Sequence, residues 1–259
     1  MPVATASPAS AAPRLVSLSP SATEVVAALG ATALLVGVDD YSVFPPEVAK
    51  LPKVGSFLSP NLETIVSLAP SLVIVDDVHS QAAGALNDAG IATLACAIHA
   101  LPDVKAALRS VGARIGKPED AARVVNEIDA ALDRAAANRP ARRPRVLAVI
   151  DREAGGLGNL VSAGPGSWVD ELLAVVGGEN VLRAAVVRYP KISLEEVLRT
   201  RPEVILDLSY AARQSMAAWN GVDVPAVTNG RVRALDDAYL IAPSPRVAEA
   251  LAALARAIQ

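Results

Sequence analysis

The chain has 259 residues, 52% of them hydrophobic and 20% charged, with a formal net charge of −3. Such a composition supports a substantial buried core and argues against a disordered chain. Apart from Arg142, Arg143 and Arg145 the basic residues are scattered, so the basic stripe of a nucleic-acid binder is missing. The mean hydropathy of +0.36 comes from alanine and valine, and no uncharged apolar run reaches the ~18 residues of a membrane span.

Residues 1–13 are small, polar and proline-containing, without the basic and apolar regions of a signal peptide, and read as a disordered leader. A short apolar strand over 14–18 then meets Ser19-Pro20-Ser21, which opens a helix over 21–29 ending at Gly30. Ser21 and Glu24 have the spacing of a capping box. Strands follow at 35–38, 72–75 and 91–96, separated by helices at 61–68 and 80–89. The run Leu72-Val73-Ile74-Val75 is apolar throughout, as a strand covered on both faces is. Cys96 ends the third of these strands and is expected to be a buried thiol; as the single cysteine it can form no disulfide within the chain.

A helix over 103–115 leads to Pro118, which suits a first helical position, with Glu119 and Asp120 complementing the helix N-terminus. Val124 or Val125, Ile128, Leu132 and Ala135 recur at helical spacing, and Pro140 and Pro144 stop the run. This predicts one helix of roughly five to six turns. Beyond it come a strand at 145–150, a turn at Gly164-Pro165-Gly166, helices at 167–176 and 193–200, strands at 203–208 and 231–235, and a last helix at 245–258. Strands alternating with helices imply mostly parallel sheets covered by helices.

The two halves echo each other. Asn61–Val75 (NLETIVSLAPSLVIV) aligns with Ser193–Asp207 (SLEEVLRTRPEVILD) at an offset of 132, pairing Leu62 with Leu194, Glu63 with Glu195 and Pro70 with Pro202. An offset of half the chain is too long for a solenoid repeat and fits two similar lobes. The expected architecture is α/β: two similar lobes with mostly parallel sheets, spanning 14–116 and 141–259, joined by one long helix within 117–140.

The order RLVSLSPSATEVVAALG, VGVDDYSVFPPEV and VGSFLSPNLETIVSLAPSLVIV, followed by WVDELLAVVGGEN, ISLEEVLRTRPEVIL and Ser244-Pro245-Arg246, resembles the family of the periplasmic vitamin B12-binding proteins and their relatives. These are the carriers of cobalamin, haem or ferric siderophores for ABC importers. The resemblance runs from about Arg14 to the C-terminus. It implies a ligand held between two lobes bridged by a long helix, an extracytoplasmic location, and one glutamate on each lobe that docks onto arginines of a permease dimer. Those glutamates map onto Glu63 and Glu195, each in the first turn of its helix, where each also complements the helix N-terminus.

Ligands in open α/β sheets lie beyond the carboxyl ends of the strands. Most of the eight aromatic residues fall in such connections, leaving the core to aliphatics and alanine. Tyr41, Phe57, Tyr189, Tyr210 and Tyr239 offer flat apolar area at low side-chain entropy cost, which suits a corrin or porphyrin ring. By resemblance Tyr41, Phe57 and Tyr189 match ring-contacting positions, with Phe57 and Tyr189 standing where tryptophans are usual. Further ligand candidates are Ser19 and Ser21 at the first turn, Gly166 and Trp168 in the turn before a helix, whose N–H groups suit an anion, and Arg188 beside Tyr189. His79 follows a strand and is a candidate axial ligand should the cargo be haem. Asp76 and Asp77 depart from the B12-binding pattern, aromatic and basic there, which leaves corrinoid and haem or siderophore as alternatives.

Enzyme signatures are missing: no P-loop, no G-x-G-x-x-G, no H-E-x-x-H and no G-x-S-x-G occurs. Clustered Cys or His for structural zinc are also missing. The expectation is a non-enzymatic, monomeric carrier with no resident cofactor and no metal of its own.

Overall fold

The computed structural model describes residues 12–213 and 215–259. The expected leader, apart from residues 12 and 13, lies outside the described residues. The described residues pack as two compact units, one within 12–97 with 110–118, the other within 98–109 with 119–259.

Unit one carries β1 (Leu15–Ser17), α1 (Pro20–Ala28), β2 (Leu35–Val38), the small hairpin of β3 (Gly55–Ser56) and β4 (Ser59–Pro60), α2 (Leu62–Ser67), β5 (Leu72–Val75), α3 (Ser80–Asp88) and β6 (Ala92–Ala95). Its main sheet has the order β2-β1-β5-β6, with every pair parallel. Val16, Leu18, Ile65, Val73, Val75 and Leu86 form its core. The first helix begins earlier than its capping-box reading. Ser19, not Ser21, is the N-cap, its Oγ accepting the Ala22 N–H at 3.2 Å. Pro20 explains the shift: its fixed φ and missing N–H favour the first helical position, so the residue before it caps.

Helix α4 (Leu101–Arg114) leads to α5 (Pro118–Ala137), the long helix expected from periodicity. It buries Ala121, Val124, Val125, Ile128 and Ala131 along one face. Residues 98–109 group with unit two: the Leu101 N–H donates to Glu171 Oε2 at 2.7 Å, and Lys105 pairs with Asp129 at 2.8 Å. The packing thus divides the chain elsewhere than at residues 116 and 117.

The rest of unit two is β7 (Arg145–Asp151), β8 (Leu160–Ser162), α6 (Trp168–Val176), β9 (Glu179–Asn180), β10 (Lys191–Ile192), α7 (Leu194–Thr200), β11 (Val204–Asp207), α8 (Pro225–Thr228), β12 (Val232–Ala234), α9 (Ala238–Ile241) and α10 (Val247–Ile258). The sheet order is β10-β8-β7-β11-β12, with β9 beside the start of β7. β7, β9, β11 and β12 pair in parallel, whereas β8 is antiparallel to both β7 and β10. The first strands of the two units therefore continue differently. β1 runs directly into its helix, but β7 turns back through β8 before α6. Both tryptophans, Trp168 and Trp219, are fully buried in this unit, contrary to a core of aliphatics and alanine alone. Each indole N–H has an acceptor: the Tyr239 carbonyl for Trp168 and Asp207 for Trp219, both at 2.9 Å.

The internal repeat extends to backbone and bonding. Asn61 caps α2 through the Thr64 N–H, and Ser193 caps α7 through the Glu196 N–H. Ala69 and Arg201, 132 residues apart, leave these helices at φ 45° and 44°, a left-handed conformation uncommon outside glycine. Arginines at the start of each first strand close the same helix ends. Arg14 donates to the carbonyls of Leu68 (2.7 Å) and Ala69 (3.2 Å), and Arg145 donates to that of Thr200. A guanidinium there satisfies carbonyls that the helix leaves without partners.

Cys96 follows β6 and is buried; burial, with the nearby Asp76 charge, pushes its thiol up to about 11. At pH 8 only about a thousandth of such a thiol is ionised, and the thiolate is the reactive form. The folded protein is expected to react with a disulfide reagent at pH 8 at least a hundredfold more slowly than the urea-unfolded chain, roughly in line with thiolate fraction, as followed by absorbance of the released thiol.

Candidate functional site

Each unit gathers loops at the carboxyl edge of its parallel strands. In unit one the edge is shaped by a buried polar chain. Ser17 and Thr23 hydroxyls lie 2.5 Å apart, Thr23 and Ser42 hydroxyls 2.7 Å, and the Ser42 hydroxyl donates to Asp39 Oδ1. The other Asp39 oxygen accepts the Tyr41 N–H at 3.0 Å. Burial raises the Asp39 carboxyl above its usual range, partly offset by these bonds and by Lys53. Lys53 Nζ donates to the carbonyls of Asp39 (3.2 Å) and Ser42 (2.6 Å). The turn after β2 is thereby fixed while the Tyr41 side chain remains 68% exposed. The Asp40 N–H bonds to the Gly55 carbonyl at 3.0 Å, which ties this turn to the hairpin carrying Phe57 and the exposed Leu58.

Phe57 is half-buried and meets the His79 ring edge-on, with centroids 5.1 Å apart. His79 is itself buried. Its Nδ1 accepts the Asp76 N–H at 2.9 Å, which leaves Nε2 to donate to the Phe57 carbonyl at 2.5 Å. Both ring nitrogens are engaged inside unit one, so the expectation of an axial iron ligand at His79 is corrected: the imidazole holds the Phe57 hairpin. Ser19 is engaged as the α1 cap rather than offered to a ligand, and Ser21 lies in the first turn of that helix, largely buried.

In unit two a second buried network stands at the ends of β7 and β11. Arg152 and Asp207 side chains are fully buried and paired at 2.7 Å. The same Asp207 oxygen accepts the Trp219 indole N–H, and the other accepts the Ser209 hydroxyl at 2.6 Å. The remaining Arg152 nitrogens donate to the Gly156 and Ser215 carbonyls, each at 2.8 Å. Sequence reasoning did not single out Arg152. The clue was an arginine at the end of an apolar strand, 55 residues before an aspartate at the end of another. Tyr210 follows this network and is 74% exposed.

Tyr239 lies beyond β12 and is half-buried, with the Arg246 guanidinium 4.6 Å from its ring centre; burial and Asp237 raise its phenol above the ordinary value. Arg246, just before α10, thus stands against this ring and also lies 3.9 Å from the Glu249 carboxylate in the first turn of that helix. Arg188 and Tyr189 arrive at the sheet edge instead of following a strand's carboxyl end. The Gly164 N–H donates to the Arg188 carbonyl at 2.8 Å just before β10. A Cβ on Gly164 would lie 2.4 Å from the Val187 carbonyl oxygen and 2.8 Å from Pro190 Cδ, so only glycine permits this crossing. Tyr189 is 42% exposed, its phenol raised mainly by burial.

The turn before α6 does not act as a free anion nest. The Gly166 N–H is taken by Asp170 at 3.0 Å, and Asp170 and Glu171 already occupy the helix start. Trp168 is core, which corrects its reading as a ligand contact.

Glu63 and Glu195 are both exposed, each at the second position of its helix. An exposed aliphatic stands one turn on in both cases, Val66 and Leu198. The Ser193 hydroxyl holds the Glu195 carboxyl below its usual range.

The match of residues 15–239 to the periplasmic binding protein family shows that this chain belongs to that family. Within it, the vitamin B12-binding protein of Salmonella typhimurium is 33% identical over 202 residues, covering 76% of this chain and 72% of that protein. The periplasmic haem-binding protein of Roseiflexus sp. RS-1 superposes with a TM-score of 0.81 at 29% identity, over 96% of this chain and all (100%) of that one. The periplasmic vitamin B12-binding protein of Vibrio cholerae gives a TM-score of 0.73 at 26% identity, over 95% of this chain and 96% of that one. Among the described residues, no helix is long and apolar enough to cross a membrane.

Replacing Arg152 alone by Met leaves the Asp207 carboxylate buried without its cation, a change that costs about 3–5 kcal/mol. Urea unfolding of the Arg152→Met variant is expected to show a loss of that size.

Proposed function

We propose that this chain is the periplasmic or extracytoplasmic substrate-binding protein of an ABC importer, a non-enzymatic monomer that takes up cobalamin or a related corrinoid and hands it to a membrane permease dimer. The observation that carries the reading is a set of aromatic side chains held out from well-braced turns, Tyr41 and Tyr210 above all, in a chain of the periplasmic binding protein family. Rings fixed by buried networks offer apolar area with little entropy left to lose on binding. The candidate cargo contacts are Tyr41 and Phe57 in the first unit and Arg188, Tyr189, Tyr210 and Tyr239 in the second. The vitamin B12-binding relatives support a corrinoid as cargo.

Haem is the second reading, supported by the likeness to the Roseiflexus haem-binding protein and by two exposed phenols, Tyr41 and Tyr210, that are able to serve as axial ligands. Parallel titration with cyanocobalamin, cobinamide and haemin separates the two. Submicromolar binding of the corrinoids with aromatic fluorescence quenching is expected; a shifted Soret band with haemin alone would move the assignment to haem.

Permease docking is assigned to Glu63 and Glu195. Their equivalent positions, exposure and matching aliphatic neighbours fit a partner with two like basic pockets. The Glu63→Ala, Glu195→Ala double variant is expected to bind cargo with unchanged Kd and to abolish cellular uptake. Loss of cargo binding in that variant would remove the docking assignment.

A further inference from the structure

Tyr210 begins three residues after Asp207, on a turn whose outer surface is open. Such a ring captures a ligand well only if the turn beneath it holds still. The side-chain bonds from the two ends of this turn converge on one buried ion pair. Asp207 Oδ1 accepts both the hydroxyl and the N–H of Ser209 (2.6 and 3.3 Å), the residue just before Tyr210. Asp207 Oδ2 accepts Arg152 Nε and Trp219 Nε1, and so fixes the far side of the same connection. Arg152 Nη2 reaches the Ser215 carbonyl between them, while Nη1 reaches the Gly156 carbonyl of the turn after β7.

A buried ion pair is a poor way to gain stability, because well-packed apolar residues of the same volume usually do as well. It does supply direction. The planar guanidinium fork fixes three acceptors at set angles, which an aliphatic side chain cannot do. We infer that Arg152 and Asp207 are positioning residues for cargo binding, acting through Tyr210: the pair holds the turns after β7 and β11 so that this ring stands ready at the surface. The inference rests on the carrier reading above.

The test is a mutant cycle on the whole chain, with cyanocobalamin and haemin as probes. The Arg152→Met, Asp207→Leu double variant removes both charges at once and avoids an unpaired one. The double variant and Tyr210→Ala are each expected to weaken binding about tenfold, and the triple variant no further, because both changes act on the same ring. Unchanged affinity in the double variant, or a triple loss equal to the sum, would overturn the inference. Hydrogen exchange at the Ala212 and Ser215 amides gives a readout independent of cargo. These amides donate to the Ser209 and Ala211 carbonyls at 3.0 and 3.1 Å. Exchange at least about tenfold faster in the double variant, with β7 amides unchanged, supports the positioning role; unchanged exchange refutes it. If the wild type binds neither probe, the corrinoid and haem readings fail and the cargo role of the pair with them, while the exchange result still decides whether the pair braces the turn. If the double variant does not fold, Arg152→Lys, which keeps the charge and loses the fork, is expected to show the same exchange defect.

Discussion

A parallel strand cannot return to its neighbour by a tight turn; it needs a crossover, which in these units is a helix. That constraint organises the parallel part of both sheets. It places the helices over the faces of each sheet and collects the outgoing connections at one edge. In unit one, the ends of β1, β2 and β5 deliver Ser19, Asp39 and Asp76 to the same edge. In unit two, β7 and β11 deliver Arg152 and Asp207. Residues far apart in sequence thus become neighbours without any local signal that they will.

Once such an edge exists, its polar groups must be satisfied, since buried polar atoms without partners are costly. Unit one uses hydroxyls and one carboxylate, relayed from Ser17 through Thr23 and Ser42 to Asp39, with His79 bolting the hairpin from beside it. Unit two uses an ion pair whose fork reaches two turns. The two solutions differ in chemistry and share an outcome: the bonding is buried, and the tyrosine beside it is left exposed. A carrier benefits from that division, because a preformed surface has less ordering cost to meet when its ligand arrives.

The duplication is deeper in the backbone than in the side chains. The shared letters over 61–75 and 193–207 mark a helix, a left-handed exit and a buried strand, with an arginine from the first strand closing the helix end in both units. These are requirements of folding, and they persist in both halves. The connection after the first strand is where the units part: α1 follows β1 directly, whereas β8 intervenes after β7. The β8 return opens a second edge, and the close crossing at Gly164 lets Arg188 and Tyr189 approach along it.

Periodicity and turn chemistry by themselves determined the α/β class, the long helix from Pro118, most strands to within a residue or two, and the paired places of Glu63 and Glu195, because these depend on local spacing and on an internal repeat. The tertiary structure decided which candidates face outward. Tyr41 and Tyr210 are exposed, while Trp168, His79 and Ser19 are drawn into packing, capping or buried hydrogen bonds. It also supplied Arg152, unremarkable as a letter, whose role exists only because β7 and β11 lie side by side. Local sequence sets the period of a segment; what a side chain meets depends on partners that only the folded sheet brings within reach.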